Sequence, residues 1–345
     1  MKRRNCILAA SAIGMLIIIL DSRAAFQATG QGLKLCLTTL IPALFPFLIL
    51  SSLLTSSLSG RGSRCFAPIE KLLRTPAGSG SLFLIGLLGG YPVGARCLRQ
   101  AVDEKSLSEA DACRMLSFCS NAGPSFLFGI IGSFFPHRKY PWLLWGIHIL
   151  SAAAVAIVTP GKSAAQKMKN QESSITVQQV MEQAVHTMGI VCGWVIFFRM
   201  ILSFLDRWVL WAFPVPVRVI ISGIVELSNG CILLGEIPDL SHRFLAAAVM
   251  LGFGGICVTM QTKSLWGELP FVSYIRGKVL QTGFSILFAM DYLWLFEAQN
   301  CSISRPCLIA GNLIIASYLG LTRGRKKNIV AFPGNMMYNR LKAHK

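Results

Sequence analysis

Apolar runs of 15 to 24 residues recur along the whole chain, with polar and charged residues confined mostly to the short stretches between them. Runs of that length predict helices lying in hydrocarbon. Eight predict membrane crossings: residues 6–20, 35–58, 115–135, 141–158, 185–205, 244–260, 279–296 and 307–321. The first and last are only 15 residues, about 22 Å of helix against a hydrocarbon layer of roughly 30 Å, so they need snorkelling flanks or a thin bilayer. Lys2-Arg3-Arg4 before the first run and Ser22-Arg23-Ala24-Ala25 after it also fit a cleaved signal peptide.

Two further apolar stretches, 81–95 and 219–235, are interrupted at their middles by Gly89-Gly90-Tyr91-Pro92-Val93-Gly94 and Glu226-Leu227-Ser228-Asn229-Gly230. Glycine and proline backbone preferences disfavour an unbroken helix through either. Both stretches read as re-entrant hairpins, and non-helical backbone at membrane depth is tolerated only where protein or a water-filled cavity surrounds it. Crossings 115–135 and 244–260 carry breaks of their own, Ser120-Asn121-Ala122-Gly123-Pro124 and Gly252-Phe253-Gly254-Gly255.

Charge tests this topology. With hairpins returning to the face they left and an inside N-terminus, inside segments hold 24 Lys and Arg, among them Arg96, Arg99, Lys105, Arg114, Lys263, Arg276 and Lys278; outside segments hold 8 and Arg199 lies within a span. A threefold excess is the positive-inside pattern, and reading either hairpin as a crossing weakens it. Three crossings separate the hairpins, so they enter from opposite faces. The expected fold is an all-α polytopic membrane protein with two inverted repeats, each a re-entrant helical hairpin plus a broken transmembrane helix. The segments are an N-terminal span (1–31), repeat 1 (32–140), a linking helix and cytoplasmic amphipathic segment (141–184), repeat 2 (185–266), C-terminal helices (267–321) and a basic tail (322–345), with the amphipathic piece 177–185 running to the start of repeat 2. Paired, interrupted helices in two inverted halves point to a secondary transporter with its site near the midplane.

Composition agrees: 53% hydrophobic against 14% charged residues, with a mean hydropathy of +0.57, excludes a water-soluble globule. The net charge of +18 sits in short loops and a basic tail, which suits anionic lipid rather than nucleic acid. The 11 cysteines are scattered with no CxxC and read as small packing residues. The five histidines show no metal-ligand spacing, and no hydrolase elbow or P-loop is present. Catalytic residues, metal and cofactor are therefore expected to be none.

Pro92 and Pro124 would each open a new half-helix whose free N–H groups face the cavity and attract anions. The candidate solute-binding residues are Gly90, Tyr91, Pro92, Gly94, Arg96, Ser120, Asn121, Gly123, Pro124, Ser228, Asn229, Gly230, Gly254, Gly255 and Gln261. Tyr91 offers a ring face with a hydroxyl, and Thr259 a further neutral hydrogen-bonding group. Glu226 is an acid inside an apolar segment, where insertion scales put the cost at about 2.5–3.5 kcal/mol. It either handles a coupling H+ or Na+, or pairs with Arg199. Arg199 itself is either a counter-charge for the solute or a snorkelling side chain. Packing of kinked helices through small residues is the alternative for each glycine.

Leu44-Phe45-Pro46-Phe47, Gly90-Tyr91-Pro92-Val93-Gly94-Ala95, Ser120-Asn121-Ala122-Gly123-Pro124, Glu226-Leu227-Ser228-Asn229-Gly230 and Gly252-Phe253-Gly254-Gly255, in this order and spacing, resemble the YlbJ (SpoVV) sporulation integral membrane protein family. That resemblance covers residues 32–261. The family belongs to a wider nucleoside-recognition or Gate group similar to concentrative nucleoside transporters. It implies a membrane protein of endospore formers, placed in the outer forespore membrane and needed for passage of dipicolinic acid, a small flat dicarboxylate, from mother cell to forespore; the charge count above puts both termini on the cytoplasmic side. The alternatives are a nucleoside or other polar-solute carrier, and a non-transporting scaffold for spore-envelope assembly. Arg199 is a departure from the family pattern. The expected partners are a small anionic solute, a coupling H+ or Na+ and the lipid bilayer; the sequence does not set the oligomeric state.

Overall fold

The computed structural model describes residues 2–58, 64–159, 161 and 176–296, within the compact unit Met1–Cys301. The expected crossing 307–321 and the basic tail lie outside these residues. All regular structure in them is helical: α1 (Lys2–Leu20), α2 (Ser22–Leu35), α3 (Ile41–Leu58), α4 (Ala67–Leu73), α5 (Gly80–Gly89), α6 (Val93–Asp103), α7 (Glu109–Cys119), α8 (Pro124–Gly129), α9 (Lys139–Val158), α10 (Val177–Trp208), α11 (Val215–Val225), α12 (Leu227–Ile232), α13 (Leu240–Phe253), α14 (Gly255–Trp266) and α15 (Val272–Phe296), with short 3₁₀ turns between some of them.

Five stretches, Ser22–Leu54, Lys139–Val158, Val177–Trp208, Leu240–Trp266 and Val272–Phe296, are helical, long and apolar enough to cross a membrane. Leu8, Ile19, Leu20, Phe26 and Trp211 stand outward and exposed, as a lipid-facing surface allows and a water-facing one does not. The chain is a polytopic, all-helical membrane protein.

Several expected boundaries move. A loop was expected across residues 21–34, but Asp21 caps α2, and α2 runs through a π turn at Cys36–Leu40 straight into α3. The boundary after residue 31 therefore falls inside a helix. In the same way the amphipathic piece 177–185 does not lie apart: it is the first part of α10, started by a capping box in which Thr176 and Gln179 bond each other's backbone. The run 115–135 is broken where expected. α7 ends at Cys119, the chain is extended to Gly123, and six-residue α8 opens with Pro124 at its first turn.

The interrupted stretches fold back on themselves. Arms α5 and α6 meet where a Cβ on either Gly86 or Gly94 would strike the Cys119 carbonyl, and Gly86 and Gly94 are themselves in contact. Arms α11 and α12 meet at Gly223 and Gly230, whose backbones touch beside the Met250 sulfur. Small residues permit both crossings, since any side chain would hold the backbones apart. Cys119 lies just before the α7–α8 break and Met250 just before the α13–α14 break.

Candidate functional site

The α5–α6 turn, both breaks and the α11–α12 turn converge. Tyr91, Ala122, Gly123, Glu226, Leu227, Ser228, Val258 and Gln261 line a cavity of about 410 Å³, mouth included, which Leu40, Leu44, Phe126, Val191 and Val195 complete with an apolar wall. An apolar cavity with a few convergent polar groups is the usual form of a small-molecule site.

The two turns are held differently. Gly90 (φ +79°) sits against Gly123, while Gly254 (φ +81°) leaves room for the Tyr91 ring and Gly255 (φ +86°) for the carbonyl of Gly223. These left-handed conformations favour glycine. At the α11–α12 turn, Glu226 is buried and its carboxylate caps α12: Oε1 accepts from the Ser228 N–H at 3.1 Å and Oε2 from the Asn229 N–H at 2.8 Å and the Asn229 side-chain amide. The expected pair with Arg199 does not form. Arg199 instead donates to Gln31 Oε1 at 2.6 Å, with Gly32 of α2 packed against its stem. α12 therefore offers no free N-terminus to a solute, because the protein's own carboxylate occupies it.

Of the residues expected at the site, Tyr91, Gly123, Ser228, Gln261 and Glu226 reach the cavity surface. Asn121 lies behind it, donating to the Phe118 carbonyl at 2.7 Å and accepting from Gln281 Nε2 at 2.9 Å. Ser120 offers its carbonyl to a buried cation, and Pro92 and Pro124 start α6 and α8 as expected. Gly94 and Gly230 act at the crossings of the hairpin arms. Arg96 is a correction: its guanidinium turns to α10, bonding Thr187 Oγ1 at 3.4 Å and the Gln183 side chain, and it does not line the cavity.

Lys278 corrects the charge count. It was expected in an inside loop but lies in α15, 1% exposed, with Nζ donating to the Ser120 carbonyl at 2.5 Å, Gln281 Oε1 at 2.8 Å and the Tyr91 hydroxyl at 3.2 Å. Tyr91 in turn donates to the Leu251 carbonyl at 3.1 Å. α15 reaches this depth because Gly277 rides on the backbone of Ser117, and Gly252 of α13 rides on Thr282. His148, which shows no metal spacing in the sequence, is fully buried on α9 and its Nε2 accepts the N–H of Ala122 at 3.0 Å, holding the α7–α8 break in place. A stripe at helical spacing (Tyr274, Gly277, Lys278, Gln281, Ser285) is the sequence signal that points to α15. Among the described residues no cluster of three His, Cys, Asp or Glu could hold a metal.

Over 86% of its length the chain is 24% identical to the sporulation integral membrane protein YlbJ of Bacillus subtilis (strain 168), of which it covers 88%. No family model and no solved structure matches it.

Proposed function

The chain is a member of the YlbJ family of sporulation integral membrane proteins, and from that premise we propose that it is a membrane carrier for a small, flat, polar solute, with dipicolinate moving from mother cell toward forespore as the leading case. The observation that carries this reading is the cavity, shared by two interrupted hairpins and two broken helices. Helix starts at Val93, Pro124 and Gly255 lack a side-chain cap, in contrast to α12, so their N–H ends are the anion-attracting elements of this scheme. In the proposed architecture 32–140 and 185–266 are inverted repeats. The matched glycine crossings support it, each set against the residue chain just before a helix break. The outer forespore membrane and cytoplasmic termini complete the proposal.

A second reading, a nucleoside or other neutral polar solute, is favoured by the lining itself: Glu226 is the acid in it, Tyr91, Ser228 and Gln261 are the other polar side chains, and Arg96 is turned away. Uptake of labelled dipicolinate and of labelled uridine into vesicles carrying the purified protein, under proton and sodium gradients, decides between them. Saturable flux of neither would leave a scaffold role and end the carrier reading.

Glu226→Gln bears on the same question. The amide keeps one acceptor but aims a donor at the Asn229 N–H and side-chain amide, a mismatch worth about 1–3 kcal/mol. Uptake should fall about tenfold or more while the protein still purifies folded. Unchanged uptake would mean that Glu226 only caps a helix.

A further inference from the structure

Lys278 is the buried charge that the cavity does not use. Nζ has three N–H bonds and three acceptors, each neutral: the carbonyl of Ser120 at the end of α7, Gln281 Oε1, and the hydroxyl of Tyr91. The ammonium also stands 4.8 Å from the Tyr91 ring centroid and 5.9 Å from that of Tyr274. The titratable groups facing it are Tyr91 from the α5–α6 turn, Cys119 from α7, His148 from α9 and Tyr274 from its own helix; no ionisable side chain of α13 or α14 acts on it. His148 accepts a backbone N–H at Nε2 and is the neutral imidazole in this state.

Tyr91 joins this cation to a second element. Its oxygen accepts from Lys278 while its own proton goes to the carbonyl of Leu251, one residue before Gly252, at which α13 crosses α15. Tyr91 lines the cavity and Lys278 does not. The phenol is thus a relay with one donor and one receiving oxygen, and its direction is set by whether Nζ is donating.

We propose, resting on the carrier reading, that Lys278 is the proton-coupling site and that its protonation controls a link between the α5–α6 turn and the end of α13. In the charged state the ammonium donates to Tyr91 and Tyr91 donates to Leu251. When one N–H bond breaks, the proton passes to the Tyr91 oxygen as Tyr91 gives its own proton to water in the cavity that it lines, and the N–H electron pair stays on nitrogen as a lone pair. The Tyr91 O–H now donates to that lone pair, the Leu251 carbonyl loses its donor, and the α13–α14 break is released from the hairpin. Reprotonation from the other side of the membrane restores the link.

Two measurements on the full-length protein test this. In proteoliposomes, uptake of dipicolinate or uridine by the wild type should rise at least threefold under an imposed pH gradient and ignore a sodium gradient, whereas in Lys278→Met the ratio of uptake with and without the pH gradient should fall to one. Drive by sodium alone, or an unchanged ratio in the variant, overturns the proposal. The second measurement needs no transport: hydrogen exchange of the segment 250–257, compared at each pH with Lys278→Met. Methionine offers Tyr91 only a weak acceptor and leaves its O–H on Leu251, so the wild type should match the variant's protection at low pH and lose it as pH rises; curves that coincide throughout, or stay apart throughout, overturn the proposal. Lys278→Gln serves where the methionine variant does not fold. Absence of flux with the exchange result intact would sink the carrier reading and leave the proton-controlled link standing.

Discussion

Arg114→Ala should lower the stability of the purified protein by about 2–6 kcal/mol, read as a fall in its thermal unfolding midpoint in detergent. The guanidinium reaches four carbonyl oxygens at once: Leu73 at 2.8 Å and Arg74 at 2.9 Å, where α4 ends, and Ala156 at 2.9 Å and Thr159 at 3.3 Å, where α9 ends. The bonds to Leu73 and Ala156 are buried, and each carbonyl left without a donor costs about 1–3 kcal/mol. A cation there also opposes the negative ends of two helices. Arg114→Lys should recover only part of the loss, because three donors on a point charge cannot span the fork. A midpoint unchanged in the alanine variant would show that water replaces the guanidinium freely.

Gly94→Ala should be as damaging by the opposite route. A methyl at Gly94 meets the Cys119 carbonyl and approaches the Gly86 Cα to 3.0 Å, so backbone rather than a pliable side chain must yield. Overpacking typically costs about 1–3 kcal/mol and occasionally more. Here the displaced segment is the one whose next carbonyl holds Lys278, so the yield of folded protein should fall and, for the carrier proposed above, uptake should drop to background. Gly146→Ala and Gly189→Ala are the controls, with nothing within 4 Å of the added methyl. Equal behaviour of Gly94→Ala and the controls, in yield and uptake, would mean that the hairpin arms do not meet as described.

The interruptions in the apolar pattern were legible because glycine and proline act locally. Gly90-Tyr91-Pro92, Gly123-Pro124 and Gly254-Gly255 disfavour continuous helix, and a helix stops or starts at each of them, although Pro46 alone is carried inside α3. What a side chain faces is decided elsewhere in the chain. Arg276 and Lys278 look alike as neighbours of a span, yet two residues apart on a helix they point to different sides: Arg276 is exposed and Lys278 is buried against α7. Arg96 looked suited to an anion because it follows Gly94, but six-atom reach lets it settle on α10. Glu226 was correctly singled out as an acid needing a partner; its partners are N–H groups two and three residues on, a local solution that an ion-pair search among basic residues overlooks.

The π turn at Cys36–Leu40 sits in a helix whose buried positions fall every fourth residue, at Ala28, Gly32, Cys36, Leu40, Leu44 and Leu48. A regular α-helix drifts by about 40° over each such step, so a wider turn partly straightens a stripe that would otherwise spiral away from its neighbours. Removing one residue there would give a smoother helix and swing Leu40 and Leu44 about 100° out of register with the cavity wall. The shape of the cavity is thus written partly in the winding number of a helix that contributes no polar side chain to it.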